Sequence, residues 1–255
     1  MWLAIDVGNT NIHIGTFENG ALRATYTVKI ESPQTLQENI EKAANPHVFR
    51  GADAIVVASV NPPVEKSFTE YIKRDAKIPP LRIGKDIPIS IPVLTDNPEK
   101  VGTDRLVNAI AAFERTKNWT VVVDAGTAIT IDGIDNNGAF LGGVIAPGMG
   151  IASKALHRYT ALLPDIQPQK PENVLGKNTA QALHAGIYWG TVGMIRYLVD
   201  MICNEMGNTP TVLATGGDAT ALAREIPTIT TVLPDLTLEG IGLVYQSRRS
   251  SRSSS

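Results

Sequence analysis

Along the chain the alternation of apolar and polar positions changes period several times, and each change marks an element. WLAID at 2–6, NIHIGTF at 11–17 and ALRATYTV at 21–28 are short β-branched runs separated by GN and ENG turns. They predict three consecutive antiparallel strands. Ser32-Pro33 forms an N-cap and first-turn pair, after which Leu36, Ile40 and Ala43/Ala44 recur at helical spacing until Asn45-Pro46 stops the helix. AIVVASV at 54–60 is apolar almost throughout, as in a parallel strand covered on both faces. A helix is expected from Pro63 to Lys73, then short extended pieces at 80–83 and 87–94, where Pro88 and Pro92 favour loop or edge positions. From Gly102, GTDRLVNAIAAFERT has apolar residues at 106, 107, 110, 111 and 113, a helix of about three turns.

The order then restarts. WTVVVD at 119–124, AITIDGI at 128–134 and AFLGGVIAPG at 139–148 read as three more strands, the last two a hairpin around DNNG at 135–138. Helices at 149–159 and 178–206, a strand at 211–217, a helix at 219–225, a strand at 229–233 and a closing helix at 238–247 complete the pattern. Three strands followed by helix, strand and helix thus occur twice. Asp6-Val7-Gly8-Asn9-Thr10 and Asp124-Ala125-Gly126-Thr127 fall at matching places 118 positions apart. The expected fold is α/β, two similar mixed-sheet halves spanning 1–115 and 116–247. The Ser/Arg-rich residues 248–255 are expected to fray.

Charge and composition remove other classes. The chain of 255 residues has 23 Lys+Arg against 25 Asp+Glu, a net charge of −2, so bulk charge does not favour nucleic acid. The single cysteine, Cys203, excludes an intramolecular disulfide and a Cys-rich zinc site. Asp6 interrupts any N-terminal secretory h-region, and His184, Arg196, Asp200, Asn204 and Glu205 interrupt the apolar stretch from Leu183 to Met206 that might otherwise cross a membrane. A cytoplasmic protein without membrane or nucleic-acid partners is expected. His47, His157 and His184 lack companion ligands at metal-binding spacing.

The repeated strand-end motif suits phosphate. In DVGNT at 6–10, Gly8 allows close backbone approach, successive N–H groups can form an anion-binding concavity, and Thr10 and Asn11 add neutral donors. Asp6 would repel phosphate directly and is better used to hold Mg²⁺ through water. Alone, this motif fits an ordinary β-turn equally well. DAGTAIT at 124–130 supplies a second such turn, so that two cradles could clamp one polyphosphate, and ATGGDA at 214–219 brings Gly216 and Gly217 to a helix start, suited to a flat nucleoside. This combination resembles the actin-like ATPase superfamily, with its duplicated ribonuclease H-like fold.

A finer resemblance, to the type III pantothenate kinases, covers almost the whole chain: DVGNTN at 6, VGTDRLVNAIAA at 101, VVVDAGTAITID at 121, FLGGVIAPG at 140, NTAQALHAGIYWG at 178 and ATGGDA at 214. The resemblance implies ATP-dependent phosphorylation of pantothenate, the first step of coenzyme A synthesis, by a homodimer requiring Mg²⁺ and a monovalent cation, K⁺ or NH₄⁺. It implies that Asp6, Val7, Gly8, Asn9, Thr10, Asn11, Ile12 and His13 form the ATP phosphate loop, that Asp124 holds the monovalent cation and that Thr127 contacts ATP. Gly102, Thr103, Asp104 and Arg105 would meet pantothenate with Asp104 as proton acceptor, and Thr179 would be a further substrate contact, acting across the subunit boundary.

Local chemistry adds conditions. Asp104 lies in the first turn of its helix, where the macrodipole should lower its pKa. A weak base results, which a loose phosphoryl-transfer transition state tolerates, and a simple capping role fits the same position. Arg105 could clamp a substrate oxygen or pair with a neighbouring acid. Two positions depart from the resemblance: Thr95 stands seven residues before Gly102, where the family commonly has tyrosine, and His13 stands where lysine is common. Ala182, Gly186, Gly190 and Gly193 form a small-residue stripe suited to a dimer-supporting helix. A non-catalytic transcription accessory, or a kinase of another small hydroxy acid or sugar, is the competing reading.

Overall fold

Two five-stranded sheets of identical topology carry the chain. The computed structural model describes residues 1–32, 35–43, 47–76 and 78–253; Pro33 of the expected cap pair and the Ala44-Asn45-Pro46 stop lie outside the described residues. In chain order the elements are β1 (Trp2–Val7), β2 (Asn11–Glu18), β3 (Ala21–Lys29), α1 (Leu36–Ala43), α2 (His47–Arg50), β4 (Ile55–Ser59), α3 (Pro62–Asp75), β5 (Leu81–Arg82) and α4 (Thr103–Thr116). The second series is β6 (Thr120–Ala125), β7 (Ala128–Ile134), β8 (Phe140–Pro147), α5 (Met149–Arg158), α6 (Thr179–Met206), β9 (Thr211–Thr215), α7 (Ala219–Ala223), β10 (Thr231–Val232) and α8 (Leu236–Ser253). The sheets run β3-β2-β1-β4-β5 and β8-β7-β6-β9-β10. In each, the first three strands are antiparallel and the last two are added in parallel.

The chain separates into two units, one of Met1–Pro92, Asp96–Glu114 and Asp235–Ser255, the other of Val93–Thr95 and Arg115–Pro234. This corrects the expected boundaries of 1–115 and 116–247. The closing helix α8 belongs with the first sheet, because Leu238, Ile241 and Val244 bury against Trp2, Ala4 and Phe17. Chain order does not reveal which sheet a terminal helix covers. α8 also continues through Ser253, past the expected end at 247 and into the residues expected to fray.

Local chemistry explains the elements. Asn19 and Gly20 both have positive φ, 51° and 82°, the type I′ geometry that matches strand twist in a two-residue hairpin. α3 begins at Pro62, one residue before the sequence reading, because Asn61 is its N-cap and its side chain accepts from the Val64 N–H at 3.3 Å. α6 is capped by Asn178, which accepts from the Gln181 N–H at 2.9 Å, and it stops at Gly207 with φ 64°, a left-handed cap that glycine adopts without a Cβ penalty.

Alternation along the strands divides core from site. Leu3, Ile5 and Val7 of β1 join Ile12, Ile14, Leu36, Phe68 and Ile72 in one core, while Trp2 and Ala4 point to the opposite face, under α4 and α8. Asp6, by period, shares that second face. In the other sheet Val121, Val123 and Ala125 pack with residues of α5, α6 and α7, leaving Asp124 on the reverse face with its cross-strand partners Thr130 and Thr215.

α4 and α8 approach so closely that a Cβ on Gly240 would collide with the Val107 carbonyl. Gly240→Ala is therefore expected to destabilise by about 1–3 kcal/mol. Gly150→Ala, where an added Cβ meets nothing within 4 Å, should change stability by less than about 1 kcal/mol. Urea midpoints of the two variants test the pair.

Candidate functional site

β1 delivers the first turn. Gly8 donates its N–H to the Asn11 carbonyl at 3.0 Å, and the Thr10 carbonyl accepts from Ile30 at 2.8 Å. Asn61, besides capping α3, donates through Nδ2 to the Gly8 carbonyl at 3.3 Å. The turn is thus held at both ends and from below. The Gly8 N–H is used inside the turn, and Asn9 and Thr10 are exposed. Val7 and Ile12 are fully buried.

His13 lies in register with Asp6, and its Nδ1 is 3.1 Å from Thr27 Oγ1. Burial lowers its pKa, against the pull of Asp235, so the imidazole is neutral at pH 7.

Asp104 sits one chain segment from this turn. Val60 donates its N–H to the Val7 carbonyl at 3.1 Å, and Val60 Cγ1 lies 3.6 Å from where a Gly102 Cβ would be. The same Cβ would lie 2.5 Å from Asp104 Oδ1, so glycine at 102 makes room for the carboxylate. Oδ1 accepts from the Arg105 backbone N–H at 2.8 Å. Burial nonetheless pushes the Asp104 carboxyl above the ordinary range, outweighing that hydrogen bond and the Arg105 charge. The expected lowering by the helix end is overturned, since desolvation penalises the charged form more than the local donors favour it. Asp104 is a stronger base than its position in the helix implied.

The second turn repeats the first, one residue shorter: Gly126 donates to the Ala128 carbonyl at 3.1 Å. Gly148 donates to the Thr127 carbonyl at 3.2 Å, and a Cβ on it would strike the carbonyls of Gly126 and Thr127. This brings the start of α5 against the turn, where helix N–H groups favour an anion. Gly216, with φ 95°, packs so that a Cβ would lie 2.6 Å from both Asp124 Oδ1 and the Ala125 carbonyl oxygen. Gly216 therefore packs directly on Asp124 and on the start of the Gly126–Thr127 turn. Asn61, Gly148 and Asp218 were missed; Asn followed by two prolines was a readable cap signal for the first.

Two further positions that the resemblance implies for substrate lie in the second unit. Val93–Thr95 belongs to the second unit rather than the first, with Leu94 donating to the Phe140 carbonyl at 2.8 Å. Thr95 Oγ1 is buried without a hydrogen-bond partner. Thr179 opens α6 and is exposed.

Duplicated sheets of this topology, each ending its first strand in a carboxylate and a glycine turn, define an actin-like ATPase fold. Solved structures agree on the fold. A Campylobacter jejuni protein named as a Baf family transcriptional activator superposes with a TM-score of 0.61 at 22% identity, over 97% of this chain and 99% of that one. Component A of (R)-2-hydroxyglutaryl-CoA dehydratase from Acidaminococcus fermentans gives 0.56 at 13% identity, over 98% of each chain. Within that class the sequence is more specific. Residues 2–201 match the type III pantothenate kinase family profile. Proteins named type III pantothenate kinase are 39% identical in Moorella thermoacetica, over 96% of this chain and 99% of that one, and 37% identical in an Anaeromyxobacter strain, over 98% and 100%. The chain belongs to the type III pantothenate kinase family.

A raised carboxyl pKa has a testable sign. Above the unfolded value of about 3.9, the ionised Asp104 is disfavoured in the folded chain, so it subtracts from stability at neutral pH. Asp104→Asn should melt at or above the wild type at pH 7, with the difference shrinking as the pH falls toward the ordinary carboxylate pKa. A lower melting temperature for Asp104→Asn at pH 7 would contradict the burial effect.

Proposed function

We propose that this protein transfers the γ-phosphoryl group of ATP to the primary hydroxyl of pantothenate, the first step of coenzyme A synthesis. The observation that carries the proposal is the placement of Asp104 beside the first turn: Gly102 gives its carboxylate room, and Val60 links that loop to the end of β1. In the first unit, Asn9 and Thr10 take phosphate oxygens. In the second, Thr127 and the Gly216–Gly217 backbone take the nucleotide.

Asp6 and Asp124 are single carboxylates with only oxygen to offer, which fits hard cations. Mg²⁺ needs one or two carboxylates beside phosphate oxygens, here Asp6 through water, and Asp124 is the residue for K⁺ or NH₄⁺. When bound, these ions neutralise charge on the phosphates. The hydroxyl oxygen attacks the γ-phosphorus in line, the bond to the bridging oxygen breaks, and ADP leaves. Asp104 orients that hydroxyl and accepts its proton, a task its raised pKa favours. Thr103 and Arg105 hold the acceptor.

Coupled ADP release with ATP, Mg²⁺ and pantothenate, in K⁺ and then Na⁺ buffer, tests this reading. Pantothenate-dependent turnover that needs K⁺ is expected. Asp104→Asn should lower kcat by about 100-fold or more while ATP binding persists. Absence of turnover in both salts would sink the assignment.

A homodimer is the second part of the proposal. Ala182, Gly186, Gly190, Gly193, Tyr197 and Met201 lie at helical spacing on one exposed face of α6, and an added Cβ on any of the three glycines meets nothing within 4 Å. Tyr197 is 66% exposed, and Leu175 and Leu162, in the segment between α5 and α6, are 86% and 90% exposed. Apolar side chains so exposed mark a covered surface, and glycines allow a second helix to approach. Thr179 opens this same helix, which supports its action on the partner's substrate. Light scattering should give twice the chain mass, and Gly190→Trp should shift it to one chain. A wild type that stays monomeric at micromolar concentration would refute the dimer.

A further inference from the structure

The duplication allows one half to be read against the other. Asn61 and Asp218 occupy equivalent places, each the N-cap of the helix that follows the fourth strand of its sheet. A backbone link to the strand bearing the turn lies at each place: the Val60 N–H, one residue before Asn61, donates to the Val7 carbonyl at 3.1 Å, and Asp218's own N–H donates to the Ala125 carbonyl at 2.9 Å. The side chains differ in use. Asn61 caps α3 and holds the Gly8 carbonyl, whereas Asp218 makes no capping hydrogen bond and is half-buried. Burial unrelieved by any donor pushes its carboxyl up. Before it, Gly217 is exposed, and a Cβ there would meet nothing within 4 Å, so the surface leading to the carboxylate is open.

We propose that Asp218 reads the ribose of the bound nucleotide, its carboxylate accepting hydrogen bonds from the vicinal 2′ and 3′ hydroxyls. The inference rests on the nucleotide reading of Thr127 and Gly216–Gly217 above. Residue 218 is anchored to Ala125, next to the Gly126–Thr127 turn, so phosphate at that turn leaves the sugar within reach of the carboxylate. An ionised carboxylate has two oxygens and only lone pairs to offer, the complement of two adjacent O–H donors. The ribose would relieve the desolvation that the unliganded chain tolerates at this position.

Calorimetric titration of the full-length chain with ADP, 2′-deoxy-ADP and 3′-deoxy-ADP tests this. The wild type should bind ADP about tenfold or more tightly than either deoxy form, as expected for hydrogen bonds to a charged group. In Asp218→Ala the ratio should collapse toward one, with ADP falling to the affinity of the deoxy forms. The melting temperature of unliganded Asp218→Ala should hold or rise, the opposite of what a structural carboxylate would give. A ribose preference kept in Asp218→Ala overturns the inference alone, as does a variant that changes only in its response to K⁺. A wild type that binds no ADP removes the inference together with the kinase reading.

Discussion

Two strands paired in parallel leave the sheet at the same end, and the two glycine turns of the candidate site depend on that constraint. β1 pairs in parallel with β4, and β6 with β9. The turn after β1 therefore emerges beside the loop that opens α3, and the turn after β6 beside the glycines that precede α7. Neither Asp6 nor Asp124 needs a dedicated scaffold. Each is the penultimate residue of a central strand whose other positions are the core of its unit. The period of two that buries Val7 and Ala125 leaves the preceding carboxylate on the opposite face.

Charge is placed against stability at several of these positions. Burial raises the carboxyls of Asp104, Asp218 and Asp235 and lowers the imidazole of His13. A chain selected for stability alone would expose or pair such groups. For Asp104 the consequence is chemical, because a carboxylate disfavoured by its surroundings takes a proton more readily. Glycine contributes in the same way. Gly102, Gly148 and Gly216 each stand where a Cβ would strike a carbonyl or a carboxylate; at 102 and 148 space alone calls for glycine, and at 216 the positive φ calls for it as well.

Much of this was legible in the sequence. The strand and helix order, the repeat of Asp-x-Gly, and the α6 limits at Asn178 and Gly207 all follow from local periodicity and cap chemistry, which adjacent residues determine. What was not legible depends on distant residues. α8 was assigned to the wrong unit because periodicity shows that a helix has an apolar side but not which sheet it covers, and Leu238, Ile241 and Val244 pack with Trp2, Ala4 and Phe17 of the first. The Asp104 pKa was given the wrong direction because a helix end is visible in sequence and desolvation is not. Asn61 could have been found from its prolines. Asp218 could not, since nothing local separates a capping aspartate from one that leaves its helix uncapped.

That difference between Asn61 and Asp218 shows how equivalent places in a duplicated fold come to be used differently. Two copies of one topology begin with equivalent edges, turns and caps, and substitution then commits each to a different task. In the first unit an amide both donates and accepts, so one side chain can cap a helix and hold a turn rigid at once. A carboxylate cannot donate, so at the matching place in the second unit it cannot brace the turn by the same bond. The second turn compensates by being one residue shorter and by resting on Gly148 and Gly216. Once backbone packing fixes the turn, the side chain at the cap is released from structural duty. A released, half-buried carboxylate at the edge where two strands end is then available for ligand recognition.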